Sequence, residues 1–156
     1  MTDTNSPTMD WALWFYWIMA TTLGWLVGSL FFNGIPVAIS GVAIAAFQWA
    51  VLYKRIHKAW RWAVWSSLAW IVAYIVLVVF FQATMGLVQG PLLGGAIGIV
   101  QWLMLRKEVD FAGWWIVISM IAWTTGLTLI PGLFSSGALP GALTGLTLVI
   151  LFRFSD

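Results

Sequence analysis

The side chains in this sequence whose types and spacing suggest chemistry are hydroxyls, amides and indoles at helical intervals. They are Thr21, Trp25, Gln48, Ser66, Trp70, Gln101, Ser119 and Trp123. None is a strong acid, base or nucleophile; such groups exchange hydrogen bonds and present π-faces. Two uses are open to them. One is an interhelical polar layer, each hydrogen bond contributing about 0.6–2 kcal/mol. The other is a pocket lined by indole faces and amides, suited to a neutral or cationic aromatic ligand. The first demands less of the fold and is preferred.

The chemistry of enzymes finds no foothold among the apolar segments. They contain no nucleophile–base pair, no carboxylate pair and no metal-ligand cluster, so the expectation is a non-enzyme without cofactor or metal. Cysteine is absent, which excludes disulfides and thiolate chemistry. His57 is the single histidine, set in a basic loop. A pigment or metal ligand is conceivable there, but a solvated side chain is the simpler reading.

The elements that must position these groups are membrane helices. The chain has 156 residues, 62% hydrophobic and 8% charged, with mean hydropathy +0.97. Soluble domains of this size carry about a quarter charged residues, so lipid must replace the missing polar surface. Six apolar runs follow: Trp11–Phe32, Pro36–Tyr53, Trp60–Gln82, Met85–Leu105, Gly113–Ile130 and Ala138–Phe152. Turn chemistry separates the first pair (Asn33-Gly34-Ile35-Pro36), and a Pro-, Gly- and Ser-rich loop, Pro131 to Gly137, separates the last. The first run follows a stretch without Lys or Arg and exceeds the length of a signal-peptide core, so it is expected to remain as a helix.

Charge sets the orientation. All seven basic residues (Lys54, Arg55, Lys58, Arg61, Arg106, Lys107 and Arg153) fall on one side of a six-helix arrangement. The positive-inside rule makes that side cytoplasmic. The expected fold is therefore an all-α membrane protein of six transmembrane helices with both termini in the cytoplasm. Residues 1–10 form a short tail, and residues 11–153 one domain of three tandem hairpins, 11–53, 60–105 and 113–153. With a net charge of +2, nucleic acid is not an expected partner. Lys54, Arg55, Lys58 and Arg61 suit anionic headgroups at about 1 kcal/mol per charge, although fixing orientation is the simpler role and is preferred.

The hairpins are internally related. A shift of 53 residues lays Gln48-Trp49 on Gln101-Trp102, Trp62 on Trp115, Ser66 on Ser119 and Ala69-Trp70 on Ala122-Trp123. Odd-numbered helices share Trp, then Ser/Thr, then small-Trp: Trp17, Thr21, Gly24-Trp25; Trp62, Ser66, Ala69-Trp70; Trp115, Ser119, Ala122-Trp123. Even-numbered helices carry small-residue pairs for close packing, Gly41 and Ala45, Gly94 and Gly98, Gly141 and Gly145. The third hairpin breaks the pattern, placing Leu148-Val149 where Gln-Trp is expected. Ten tryptophans near the basic ends (Trp11, Trp14, Trp17, Trp49, Trp60, Trp62, Trp65, Trp102, Trp114 and Trp115) read mostly as an interfacial belt. Trp25, Trp70 and Trp123 lie about 12 Å deeper and need acceptors in a dry place.

The element small-x3-small-x2-Gln-Trp-x2-Leu-Lys/Arg, followed by Trp-x3-Ser-x2-Ala-Trp, resembles a group of functionally uncharacterised small bacterial membrane proteins. The resemblance implies a multi-helix fold in the bacterial inner membrane and transfers no activity. The Pro-rich signature of tryptophan-rich sensory proteins and the charged motifs of mitochondrial carriers are absent. The leading expectation is a non-catalytic accessory or scaffold subunit whose partners are the bilayer and other membrane subunits. The alternatives are a small-molecule-binding component of a transporter, or a pigment- or quinone-binding protein.

Overall fold

The computed structural model describes residues 9–30, 36–81 and 86–155, with the backbone alone for Pro36, Gly86 and Leu87. Its elements are six helices: α1 Trp11–Ser29, α2 Pro36–Leu52, α3 Trp60–Phe81, α4 Gly86–Leu105, α5 Trp114–Thr124 and α6 Ser135–Ser155. A π-helical turn, Thr125–Leu129, continues α5. The Asn33–Ile35 turn, Gln82 and Met85, all assigned from sequence, lie outside the described residues.

Helices form because each run is predominantly apolar, leaving the backbone no better way to satisfy its N–H and C=O groups than internally. Three helices are long and apolar enough to cross a membrane: Trp60–Phe81, Val88–Leu105 and Ser135–Ser155. The 22 residues of α3 span about 33 Å, against a hydrocarbon thickness near 30 Å. Val37–Leu52 and Trp114–Leu129 are apolar but shorter.

Helix α6 is longer than the sequence suggested. It starts at Ser135 rather than Ala138 and runs past Phe152 to Ser155. Ser136 and Gly137 thus move from loop to helix. Their serine-glycine chemistry reads as turn-like, but Ser136 Oγ donates to the Gly126 carbonyl at 2.9 Å, tying α6 to the end of α5. Pro140 also sits inside α6, where its ring packs against Gly126. Its carbonyl accepts the Thr144 hydroxyl at 2.6 Å.

Among the described residues each helix packs on its neighbours in the chain, and α6 closes on α1. The result is a ring of six helices. Glycine sets how tightly the seams close. Carbon added at Gly24 would lie 2.5 Å from the Ile44 backbone of α2. At Gly90 and Gly94 it would strike the α5 backbone at Thr124 and Ser119, and at Gly141 it would lie 3.0 Å from Ile18 of α1. The Gly94/Gly98 and Gly141/Gly145 pairs therefore seat the first helix of the following hairpin, with α1 following α6. Gly41 faces the Trp70 ring of α3, so that seam holds an indole instead of a backbone; Ala45 beside it is buried.

Two loops at the basic end are built alike. Arg55 N–H donates to the Leu52 carbonyl at 2.8 Å, and Glu108 N–H to that of Leu105 at 2.9 Å. Lys58 and Phe111 both adopt positive φ, 54° and 55°, and Ile56 and Val109 both turn inward to the core. Near the amino end, Asp10 caps α1 through Leu13 N–H at 2.9 Å and pairs with Arg55 at 2.7 Å. That half-exposed pair ties α1 to the α2–α3 loop.

These seams predict a split among glycines. Gly94→Ala should lower stability in detergent by about 1–3 kcal/mol, because carbon there meets backbone that cannot yield. Gly113→Ala, with open space around it, should be neutral within about 0.5 kcal/mol. Thermal unfolding of the two purified variants checks the difference.

Candidate functional site

The centre of the ring is closed by three tryptophans. Trp17, Trp62 and Trp115 come from α1, α3 and α5 and meet edge to face, with ring centroids 5.7, 6.1 and 6.0 Å apart. All three are at most 1% exposed. Edge-to-face indole pairs contribute about 0.5–1.5 kcal/mol each beyond the area they bury. The expectation that these three belong to the interfacial belt is thus overturned. They share a face with Thr21, Ser66 and Ser119, and in a closed ring that face looks at the axis. Trp11, Trp49, Trp60, Trp65 and Trp114 do point outward.

Each axial indole donates to a side chain of the preceding helix in the ring. Trp62 Nε1–H reaches Gln48 Oε1 at 3.1 Å, and Trp115 Nε1–H reaches Gln101 Oε1 at 2.9 Å. The other end of each amide turns back into its own hairpin. Gln48 Nε2–H donates to Thr21 Oγ1 at 3.0 Å, and Gln101 Nε2–H to Ser66 Oγ at 3.1 Å. Thr21 Oγ1 in turn donates to the Trp17 carbonyl at 2.9 Å. Gln48 and Gln101 therefore each link three helices. A buried amide with both ends paired is stabilising, whereas one left half-paired costs about 1–3 kcal/mol.

The third unit is made differently. Trp17 Nε1–H donates to Thr144 Oγ1 at 2.9 Å, one helical turn before Leu148. A threonine hydroxyl thus supplies the acceptor that glutamine supplies elsewhere, and Leu148 fills the remaining space as a fully buried side chain. Thr144 carries no signal in the aligned pattern, because it falls where the other hairpins have Ile44 and Ile97. Only ring closure reveals it. The cost of the exchange falls on Ser119, 1% exposed, whose Oγ has no hydrogen-bond partner.

Of the predicted site residues, Thr21, Gln48, Ser66 and Gln101 are brought into one layer, and Ser119 lies beside it unpaired. Trp25, Trp70 and Trp123 form a second aromatic cluster, with Trp70 and Trp123 perpendicular at 4.9 Å and Trp25 and Trp123 at 6.4 Å. The amides accept from the indoles of the first cluster rather than from these deeper ones. Helix spacing gives depth but not the direction in which a long amide turns. Between the clusters, Gln48, Gln101, Thr144, Trp70 and Trp123 line a void of about 10 Å³, at the lower limit for one water molecule.

The basic residues separate into groups. Arg55 is paired with Asp10, and Lys54 lies over the Tyr53 ring at 5.2 Å. Lys58 and Arg61, with His57, line a cleft shared with Lys107. The four-residue headgroup cluster inferred from sequence is therefore divided by the fold. No group of three or more metal-ligating side chains occurs among the described residues.

The serines distinguish a paired unit from the unpaired one. Ser66→Ala should destabilise by about 1–2 kcal/mol by stranding the Gln101 amide, while Ser119→Ala should be neutral or stabilising. Chemical unfolding of both variants in the same detergent tests it. Compared with known families, curated proteins and solved structures, the chain matches no family model, no curated protein and no solved structure.

Proposed function

We propose that this chain is a non-catalytic integral membrane protein acting as an accessory or scaffold subunit of a larger membrane complex. In this reading all six helices cross the bacterial inner membrane as three related hairpins, with both termini and the basic loops in the cytoplasm. One observation carries the proposal: five polar side chains of the interior are engaged with one another around plugged indoles, and little space is left beside them. Gln48, Gln101, Thr21, Ser66 and Thr144 bond to neighbouring helices or their indoles, and the void beside them is about 10 Å³. Pockets for organic ligands commonly measure about 300–1,000 Å³. That contrast supports a packing role for the layer and leaves the outer face as the working surface.

The outer face is suited to lipid or to other membrane helices. Phe15, Val72, Ile75, Val79, Ile121 and Ile150 are all exposed large apolar side chains on several helices. Where lipid is the solvent, association of helices depends on packing shape rather than apolar burial, so a broad outer face is compatible with subunit contacts.

Two measurements test this reading. Extraction in mild detergent should bring down a reproducible membrane partner; a lone species in every preparation would overturn the subunit assignment. Reporters fused at Leu133 and at the carboxyl end should fall in opposite compartments, the second cytoplasmic. Leu133 is chosen because it is exposed, whereas Ser136 is buried. The same compartment for both would overturn the six-span topology.

A further inference from the structure

We infer that the cleft between the α2–α3 loop and the end of α4 binds the headgroup of an anionic phospholipid. The inference rests on the reading of the basic end as the membrane's cytoplasmic surface, and it names a ligand for that surface. The cleft has a volume of about 190 Å³ and is lined by Lys58, Arg61, His57, Lys107 and Glu108 together with the apolar Ile56, Leu103 and Met104. Three cations thus face one space with a single carboxylate beside them.

Those cations are not consumed by ion pairs. Among the described residues the ion pair is Asp10–Arg55, outside the cleft, and Glu108 lies within 4.0 Å of no cationic group. Arg61 rests near the Trp60 ring at 5.9 Å, which leaves its N–H fork open to an acceptor. Lys58 holds φ at 54°, as Phe111 does at 55° in the equivalent loop, so the backbone shape is common to both loops and the basic side chain lining the cleft belongs to the first. The loop is fixed rather than loose, since Ile56 is buried and the Lys58 carbonyl accepts Arg61 N–H at 2.9 Å.

The apolar part of the lining selects the source of the phosphate. Leu103 is 43% exposed and lines the cleft together with Met104 and Ile56. A free phosphate would use only the cations. A phospholipid brings a phosphodiester for the cations and glycerol and upper chains for the apolar side chains, which matches the mixed chemistry of the cleft. The exposed indoles of Trp60 and Trp65 near the start of α3 fit the same interfacial level.

Native mass spectrometry of the full chain tests the assignment, with phosphatidylglycerol or phosphatidylcholine added to the detergent. Wild type should retain phosphatidylglycerol at least tenfold more strongly than phosphatidylcholine. The Lys58→Gln, Arg61→Gln, Lys107→Gln triple variant should lose that preference. A charge-matched control, Lys54→Gln, Arg106→Gln, Arg153→Gln, should keep it. Equal loss in both triples would overturn the cleft in favour of diffuse attraction, as would no preference in wild type. Inorganic phosphate at millimolar concentration should fail to displace the lipid; displacement would overturn the lipid in favour of a free anion. The readout is taken in micelles, so it stands or falls apart from the reporter experiment on topology.

Discussion

A buried N–H must find an acceptor, and this requirement organises the centre of the ring. Three indoles fill the axis with apolar surface, but each brings one donor that water does not reach. Gln48, Gln101 and Thr144 meet those donors at 3.1, 2.9 and 2.9 Å. Because each acceptor sits on the helix preceding its indole in the ring, satisfying the donor also joins one hairpin to the next. The Trp17–Thr144 bond does this between the two ends of the chain, and so holds the ring shut where no covalent connection exists.

Small residues make that bonding possible. An indole and an amide meet at 3 Å only if the helix axes come close, and Gly94, Gly98, Gly141 and Gly145 remove the carbon that would hold them apart. The seam between α2 and α3 is the exception. There Gly41 admits the Trp70 ring, which lies perpendicular to Trp123 beneath the polar layer. Packing and hydrogen bonding are thus one system: the glycines set the distance, the indoles fill the space, and the amides satisfy what the indoles carry inward.

The third hairpin departs from the other two in several linked ways. Leu148 replaces the amide, Thr144 takes over its acceptor role, Ser119 is left unpaired, and α5 ends in a π-helical turn beside Pro140. A hydroxyl is shorter than an amide and cannot serve both the indole and the serine. The departures at Leu148, Thr144 and Ser119 therefore follow from one substitution at the position of the glutamine. The π-helical turn lies at the Gly126–Pro140 contact.

How much of this was legible from residues alone follows from what periodicity encodes. Apolar run length and turn chemistry determined that the chain is helical and apolar, and the 53-residue shift marked Gln48, Gln101, Ser66 and Ser119 as equivalent positions. These are local properties, fixed by rise per residue and by which atoms a side chain carries. Tertiary structure decided the rest. Trp17, Trp62 and Trp115 look like belt residues from their depth, yet closure of the ring turns them onto the axis. Thr144 is invisible in the pattern because its role exists only when α6 meets α1. Likewise the loop joins Lys58 to Lys107 and parts it from Arg55, since which charges share a space depends on the path of the backbone and not on their order along it.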